Sequence, residues 1–154
     1  MINLSNKAAK RFKISWAELE ERSGDFWKVD IAMFGRVPML FIVHELTLFT
    51  LVRRKSQFKT LQGVVSEITS CCPWYKNSEA FSIGKNGNRK ITGSINEIKR
   101  MTVGLYSSEN INAMEMSINQ CLFSYLSVGK NDYSTPFEAV ESYVRGNHSY
   151  NKSL

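Results

Sequence analysis

The residues best suited to binding chemistry lie in one polar stretch, residues 86–100, which opens with a turn-prone Asn-Gly pair. At about 100° of rotation per helical residue, one side of the helix that follows carries two arginines, a glycine and an asparagine. These are Arg89, Gly93, Asn96 and Arg100, with Lys90 beside Arg89. Guanidinium and amide groups donate hydrogen bonds to phosphate and carboxylate oxygens, and a glycine lets a ligand approach the backbone closely. The spacing therefore predicts a binding surface for an anionic partner.

Gly93 is the least expected residue of this helix, because glycine in a helix interior costs about 1 kcal/mol relative to alanine. One explanation is that another helix or strand of the same chain packs closely against it. The other is that a phosphate or a partner backbone approaches between Arg89 and Arg100. In the same way, Arg89 and Asn96 either face a partner or belong to an internal polar network that anchors loops. The sequence leaves both questions open.

The charge of the chain agrees with an anionic partner. The net charge is +6 and the pI is about 9.3, which favours nucleic acid or an acidic protein surface. Residues 76–105 hold six Lys and Arg residues against two Glu residues. A second basic group consists of Arg53, Arg54, Lys55 and Lys59. If the two groups are contiguous, they form a groove for a sugar-phosphate backbone, with Trp74 or Tyr75 available for base stacking; if not, they are solvated faces.

His44 and Glu45 are the residues that could act as an acid and a base. Together with Arg89 they suggest an alternative function, a small nuclease or nucleotide-processing enzyme, which requires the three side chains to meet in one cleft. An adjacent His-Glu pair at a turn is also typical of a satisfied surface pair. The three cysteines lack the C-x-x-C spacing of zinc and redox sites, and residues 84–87 lack the Walker spacing. We therefore expect no metal ion or cofactor, and we favour a binding protein over an enzyme.

The elements that position these residues are predicted from hydrophobic periodicity. A strand at residues 2–4 precedes a Lys-rich helix that Ser5 caps, and the apolar segments within residues 27–53 predict three strands in an antiparallel meander. Ser56 is expected to cap a helix that ends at Pro73, followed by a short edge strand at residues 81–83.

The second half of the chain is mainly helical in this reading. The basic helix extends from Arg89 to Tyr106, or begins only at Ser94, where a second capping box lies. Its apolar side consists of Ile91, Ile95, Ile98, Met101 and Leu105. Residues 114–126 fit a strand or a helix equally well, and Thr135-Pro136 begins a last helix that ends at Arg145-Gly146. The prediction is an α+β fold: a small, mainly antiparallel sheet with three to four packed helices.

Length and composition predict one domain, residues 1–146, with a polar C-terminal tail at residues 147–154. The beginning of the chain lacks the pattern of a signal peptide, and its most apolar run, residues 37–52, is too short to span a bilayer. An odd number of cysteines, two of them adjacent, favours a reducing compartment. We therefore expect a cytoplasmic protein that does not insert into a membrane.

Several blocks of the chain carry a resemblance, namely residues 2–14, 27–52, 118–119, 123–126 and 136–139. The most specific block, residues 88–97, reads Asn-Arg-x-x-Thr-Gly-Ser-x-Asn followed by an acidic residue. In this order the blocks resemble a family of small bacterial and mobile-element proteins known only as a domain of unknown function. That family usually has Asn where this chain has His44. The resemblance implies a compact α+β domain in a bacterial, phage or plasmid setting, and it implies no particular activity.

Three classes of function follow from these observations. The first is a non-enzymatic protein that binds nucleic acid or an acidic protein surface through the basic helix, for example in host-phage conflict. The second is the enzyme that uses His44, Glu45 and Arg89. The third is an interaction protein that dimerises through an exposed sheet edge or an apolar patch.

Overall fold

A six-stranded sheet with helices on both faces forms the part of the chain that the structure describes. The structure is a computed structural model, and it describes residues 1–76, 81–126 and 133–146. The strands are β1 (Ile2–Leu4), β2 (Glu21–Arg22), β3 (Trp27–Phe34), β4 (Val37–His44), β5 (Thr50–Arg54) and β6 (Ile83–Asn86). The helices are α1 (Asn6–Arg11), α2 (Leu61–Cys71), α3 (Arg89–Thr102), α4 (Ile111–Asn119) and α5 (Pro136–Val144). The α+β class is confirmed, and the tail predicted at residues 147–154 lies outside the described residues.

The antiparallel meander is confirmed. β3 pairs with β4 along its whole length, and β4 pairs with β5. Gly35 turns the chain between β3 and β4 with φ at +63°, a conformation that residues with a Cβ rarely adopt. The spatial order of the strands is β2-β6-β1-β3-β4-β5, so the meander of β3, β4 and β5 forms one half of the sheet.

The other half of the sheet is parallel, so the sheet as a whole is mixed. β1 pairs in parallel with both β3 and β6, and β2 pairs in parallel with β6. The edge strand expected at residues 81–83 is therefore wrong in position, because β6 begins at Ile83 and lies between β1 and β2. These pairings join segments that are far apart in the chain, and local periodicity does not reveal them.

Helix starts follow the capping residues. Ser5 and Thr135 cap α1 and α5 as predicted, because each side chain accepts a backbone N–H of the first turn. The helix start at Ser56 is wrong, since Lys55–Gln57 forms a separate 3-10 turn and Thr60 caps α2 instead. The described residues contain five α-helices, one more than the upper limit predicted.

The bounds of α3 and α4 decide between the alternatives that the sequence left open for the basic helix and for the segment after it. α3 begins directly after Asn88, which caps it, so the later start at Ser94 is wrong. α3 also ends at Thr102, and Leu105 therefore lies beyond the helix with 76% of its surface exposed rather than on the buried side. Residues 111–119 form α4, so the helical reading of the following segment holds for its first part.

Two hydrophobic layers enclose the sheet. The first layer contains Trp27, Val29 and Ile31 of β3 and packs against α1 and α2. The second layer contains Phe41 of β4 and packs against α3 and α4. α5 reaches both layers, with Ala139 in the second and Tyr143 beside the first.

Candidate functional site

Apolar residues and two buried charged residues of β3 hold α3 on the sheet. The isoleucines of α3, namely Ile91, Ile95 and Ile98, are fully buried in the second layer. From the sheet, the Nζ of Lys28 donates to the Oγ1 of Thr92 at 3.0 Å. From the helix, the Nζ of Lys99 pairs with the Oδ2 of Asp30 at 2.5 Å. These contacts determine which side of α3 faces the sheet.

The buried charges beneath α3 compensate one another. Burial alone raises the pKa of the Asp30 carboxyl, but hydrogen bonds from Lys99 and Ser5 outweigh it and keep that pKa below its usual value. Burial lowers the pKa of Lys28 more than the nearby carboxylates of Asp30 and Glu45 raise it. An unpaired charge at this depth would be costly, so these partners make the polar contacts of α3 specific.

A polar network anchors the beginning of α3. The Oδ1 of Asn88 accepts the backbone N–H of Lys90, and its Nδ2 donates to the Oε1 of Glu45 at 3.0 Å and to the hydroxyl of Tyr125 at 3.1 Å. Asn86 donates to the Oγ1 of Thr92 at 3.1 Å. An internal network therefore exists, but it uses Asn88 and Thr92 of the Asn-Arg…Thr-Gly block.

The opposite side of α3 faces solvent. We call Arg89, Lys90, Gly93, Asn96 and Arg100 the α3 outer face, and all five residues are exposed. Within the described part of the chain, the side chains of these residues make no hydrogen bond or ion pair. Among the described residues, a Cβ added at Gly93 would meet no atom within 4 Å. Close packing against this part of the chain therefore does not explain Gly93, and Arg89 and Asn96 do not belong to the network around Asn88.

Arg53 and Arg54, the two arginines of the second basic group, have partners on other elements of the chain. The Nε of Arg53 pairs with Glu67 of α2 at 2.8 Å, and its Nη1 pairs with Glu115 of α4. Burial alone would lower the pKa of Arg53, but these carboxylates raise it. The guanidinium of Arg54 donates to the carbonyl oxygen of Ser108 at 3.0 and 3.2 Å. Both arginines therefore connect elements of the chain to one another.

His44 is buried in a cluster of aromatic side chains. Its ring is 0% exposed and lies within 4.9 to 5.4 Å, between ring centroids, of four aromatic side chains. These are Trp27, Trp74, Tyr75 and Tyr143. Burial lowers the pKa of His44 more than Asp25 raises it, so the ring is neutral at pH 7.

Asp25, His44 and Thr47 are hydrogen-bonded in series, as the residues of a catalytic triad are, but the Thr47 hydroxyl is buried. Nε2 lies 2.7 Å from the Oδ1 of Asp25, and Nδ1 lies 2.8 Å from the Oγ1 of Thr47. Because the Asp25 carboxylate only accepts hydrogen bonds, we assign the ring proton to Nε2, and Nδ1 then accepts the hydroxyl proton of Thr47, whose Oγ1 also accepts the Phe49 N–H. Thr47 is also 0% exposed, so no substrate reaches this hydroxyl. The carboxylate of Glu45 accepts a hydrogen bond from Asn88 and not from His44.

Sequence reasoning missed the inward-facing polar residues. No role was predicted for Lys28, Asp30 or Asn88, although Lys28 and Asp30 alternate with apolar residues in β3 and Asn88 opens the block at residues 88–97. The sequence also did not connect Asp25 with His44, because the contact depends on the tertiary fold.

Comparison with models of known protein families finds no match for this chain, and a search among curated proteins finds none either. The likeness to the family of unknown function therefore stays a resemblance. Among residues 1–76, 81–126 and 133–146, no helix is long and apolar enough to cross a membrane. The same residues contain no group of three or more His, Cys, Asp or Glu side chains that could hold a metal ion.

Proposed function

We propose that this is a non-enzymatic binding protein that engages nucleic acid through the α3 outer face. The observation that supports this most strongly is Gly93, an exposed glycine inside a helix that no contact with residues 1–76, 81–126 or 133–146 explains. Because glycine has no Cβ, the helix backbone is exposed here beside Arg89 and Arg100. A phosphate can therefore approach closely and accept hydrogen bonds from the two arginines.

Nucleic acid fits the chemistry of this face better than an acidic protein surface does. The five residues of the face are basic, polar or glycine, none of them is apolar, and Glu97 is the one acidic residue of α3 beside them. Protein interfaces are depleted of charged residues at their centre, whereas interfaces with nucleic acid are polar and positively charged. The burial of His44 is the reason that we do not favour a nuclease.

The setting is part of the same proposal. The resemblance supports a bacterial, phage or plasmid protein, for example one that acts in host-phage conflict. All three cysteines are free thiols, which supports a cytoplasmic location.

The test measures binding of the full chain to a short labelled DNA duplex and to a single-stranded RNA by fluorescence anisotropy over a range of salt concentrations. We expect the affinity to fall as salt rises. Arg89→Glu/Arg100→Glu should lose about tenfold or more in affinity, and the slope of log K against log salt should fall by about 1.8 for duplex DNA, as for two lost phosphate contacts. The melting temperature should not change, because neither side chain has a partner in the described structure.

The matched control is Lys59→Glu/Arg145→Glu, which changes the net charge equally at two exposed positions outside α3. This variant should bind almost as well as the wild type. Equal loss in both double variants would mean that net charge alone drives binding and would contradict the α3 outer face. If the wild type shows no salt-dependent binding, the nucleic-acid proposal is wrong.

A further inference from the structure

β3 has two neighbouring strands at its beginning but only one at its end. β1 stops at Leu4, opposite Val29, and the chain then turns into α1. The Ser5 N–H still bonds to the Val29 carbonyl oxygen at 3.1 Å. The next N–H on that side, that of Ile31, bonds to the Oδ1 of Asp30 at 2.8 Å rather than to another strand. From Ile31 onward this side of β3 is therefore an open edge.

The pairing of β3 shows which backbone groups point to this edge. Successive residues of a strand direct their backbone groups alternately to its two sides. The Glu45 N–H bonds to the Phe26 carbonyl, so the even-numbered residues face β4, and the Trp27 N–H bonds to the Met1 carbonyl, so the odd-numbered residues face β1. The Met33 N–H and the Ile31 and Met33 carbonyls therefore point to the open edge. No hydrogen bond within the described ranges uses these groups.

A basic groove of about 280 Å³ runs along this edge. Its walls are Ile31, Ala32 and Met33 of β3 and Lys7, Lys10 and Arg11 of α1. Successive strand residues point to opposite faces, so a groove that touches three consecutive ones lies at the strand edge. Met33 is 42% exposed, and the three cations form no ion pair in the described structure. We call this the β3 edge groove.

We infer that the β3 edge groove binds an extended acidic peptide segment of another protein, which adds a short strand to β3. The peptide backbone bonds to Ile31 and Met33, while its carboxylates point to the same face of the sheet as Met33 and meet the cations of α1 there. A second copy of this chain fits less well, because pairing two β3 edges brings two sets of these cations together. The groove borders the first layer with α1, so it is separate from the α3 outer face on the second layer.

The experiment uses the full chain and a labelled peptide of alternating Glu and Val residues, followed by fluorescence anisotropy. We expect salt-sensitive binding, no binding of the same peptide with Lys in place of Glu, and a loss of about tenfold in Lys7→Glu/Lys10→Glu. Lys59→Glu/Arg145→Glu is again the matched control and should bind normally. Both variants should melt like the wild type, because all four side chains are exposed.

Two further peptides test the strand pairing itself. One is N-methylated on every odd-numbered amide and the other on every even-numbered amide, so that charge and side chains stay the same. Because a strand presents alternate amides to one neighbour, only one of the two should lose binding. Equal binding of both peptides, or equal loss in both, would overturn strand addition. Equal binding of the acidic and the Lys peptide would overturn the selection for acidic segments.

Discussion

Gly93 and Gly63 are both glycines inside helices, and their surroundings differ. A Cβ at Gly63 would lie 3.4 Å from the Cδ1 of Phe58, whereas a Cβ at Gly93 would have no neighbour within 4 Å among the residues that the structure describes. We predict that Gly93→Ala raises the free energy of unfolding by about 0.5 to 1 kcal/mol, because alanine has the higher helix propensity. The same variant should weaken nucleic-acid binding, because the added methyl group keeps a phosphate from the backbone. Urea unfolding and anisotropy measure the two effects.

Gly63→Ala is the matched control, since it makes the same substitution in α2, away from the α3 outer face. It should leave the affinity for nucleic acid unchanged. A Gly93→Ala variant that is more stable and binds as well as the wild type would show that Gly93 has no role in close approach.

The lowered pKa of the buried His44 determines the sign of a pH effect. The unfolded chain takes up a proton near pH 6.5 while the folded chain resists it, so the unfolded state binds more protons in this window. We predict that the free energy of unfolding falls between about pH 7.5 and pH 5.5 as His44 is titrated in the unfolded state. Chemical unfolding at a series of pH values measures this.

Two variants assign the pH effect to His44. His148→Gln removes the other histidine of the chain and should keep the loss. Burial raises the pKa of Glu45, so this group acts with the opposite sign, and Glu45→Gln should make the loss steeper. A free energy of unfolding that stays level or rises on acidification in Glu45→Gln would contradict the assignment.

At the scale of elements, the sequence predicted the features that depend on neighbouring residues. The isoleucine spacing of α3, the cap at Thr135 and the meander of β3 to β5 all depend on residues close together in the chain. The placement of β1 and β6 in the centre of the sheet depends on pairings across many residues, and periodicity does not encode them. For the candidate site, the sequence predicted the outward side of α3 but not the polar contacts of Asn88 and Thr92 beneath it.

Asn88 joins the start of α3 to the rest of the fold and is open to a direct test. Asn88→Ala removes a helix cap and also the hydrogen bonds to the buried Glu45 and to Tyr125. We predict a loss of about 2 to 3 kcal/mol in the free energy of unfolding, measured with urea. Asn110→Ala is the control, because Asn110 precedes α4 without a side-chain capping bond, and it should lose less than about 1 kcal/mol. Equal losses would mean that the contacts of Asn88 add nothing to the cap.

At the scale of the whole molecule, the two layers are joined across the edge of the sheet. Arg53 lies on β5, the last strand in the spatial order, and pairs with Glu67 of α2 in one layer and with Glu115 of α4 in the other. The Arg53 side chain is 15% exposed, so these ion pairs are partly shielded from water. Arg53 therefore connects α2 in the first layer with α4 in the second layer around this edge of the sheet.

Because of these ion pairs, we expect removal of the Arg53 cation alone to destabilise the fold more than removal of all three charges. Arg53→Met leaves two partly buried carboxylates without their cation, and we expect a loss of about 2 to 3 kcal/mol in the free energy of unfolding. Arg53→Met/Glu67→Gln/Glu115→Gln leaves no unpaired charge, and the amide of residue 115 still accepts the Val52 N–H, so this variant should recover at least about 1 kcal/mol. If the triple variant is no more stable than Arg53→Met, the carboxylates are solvated once Arg53 is gone, and the ion pairs of Arg53 do not account for the stability of this edge.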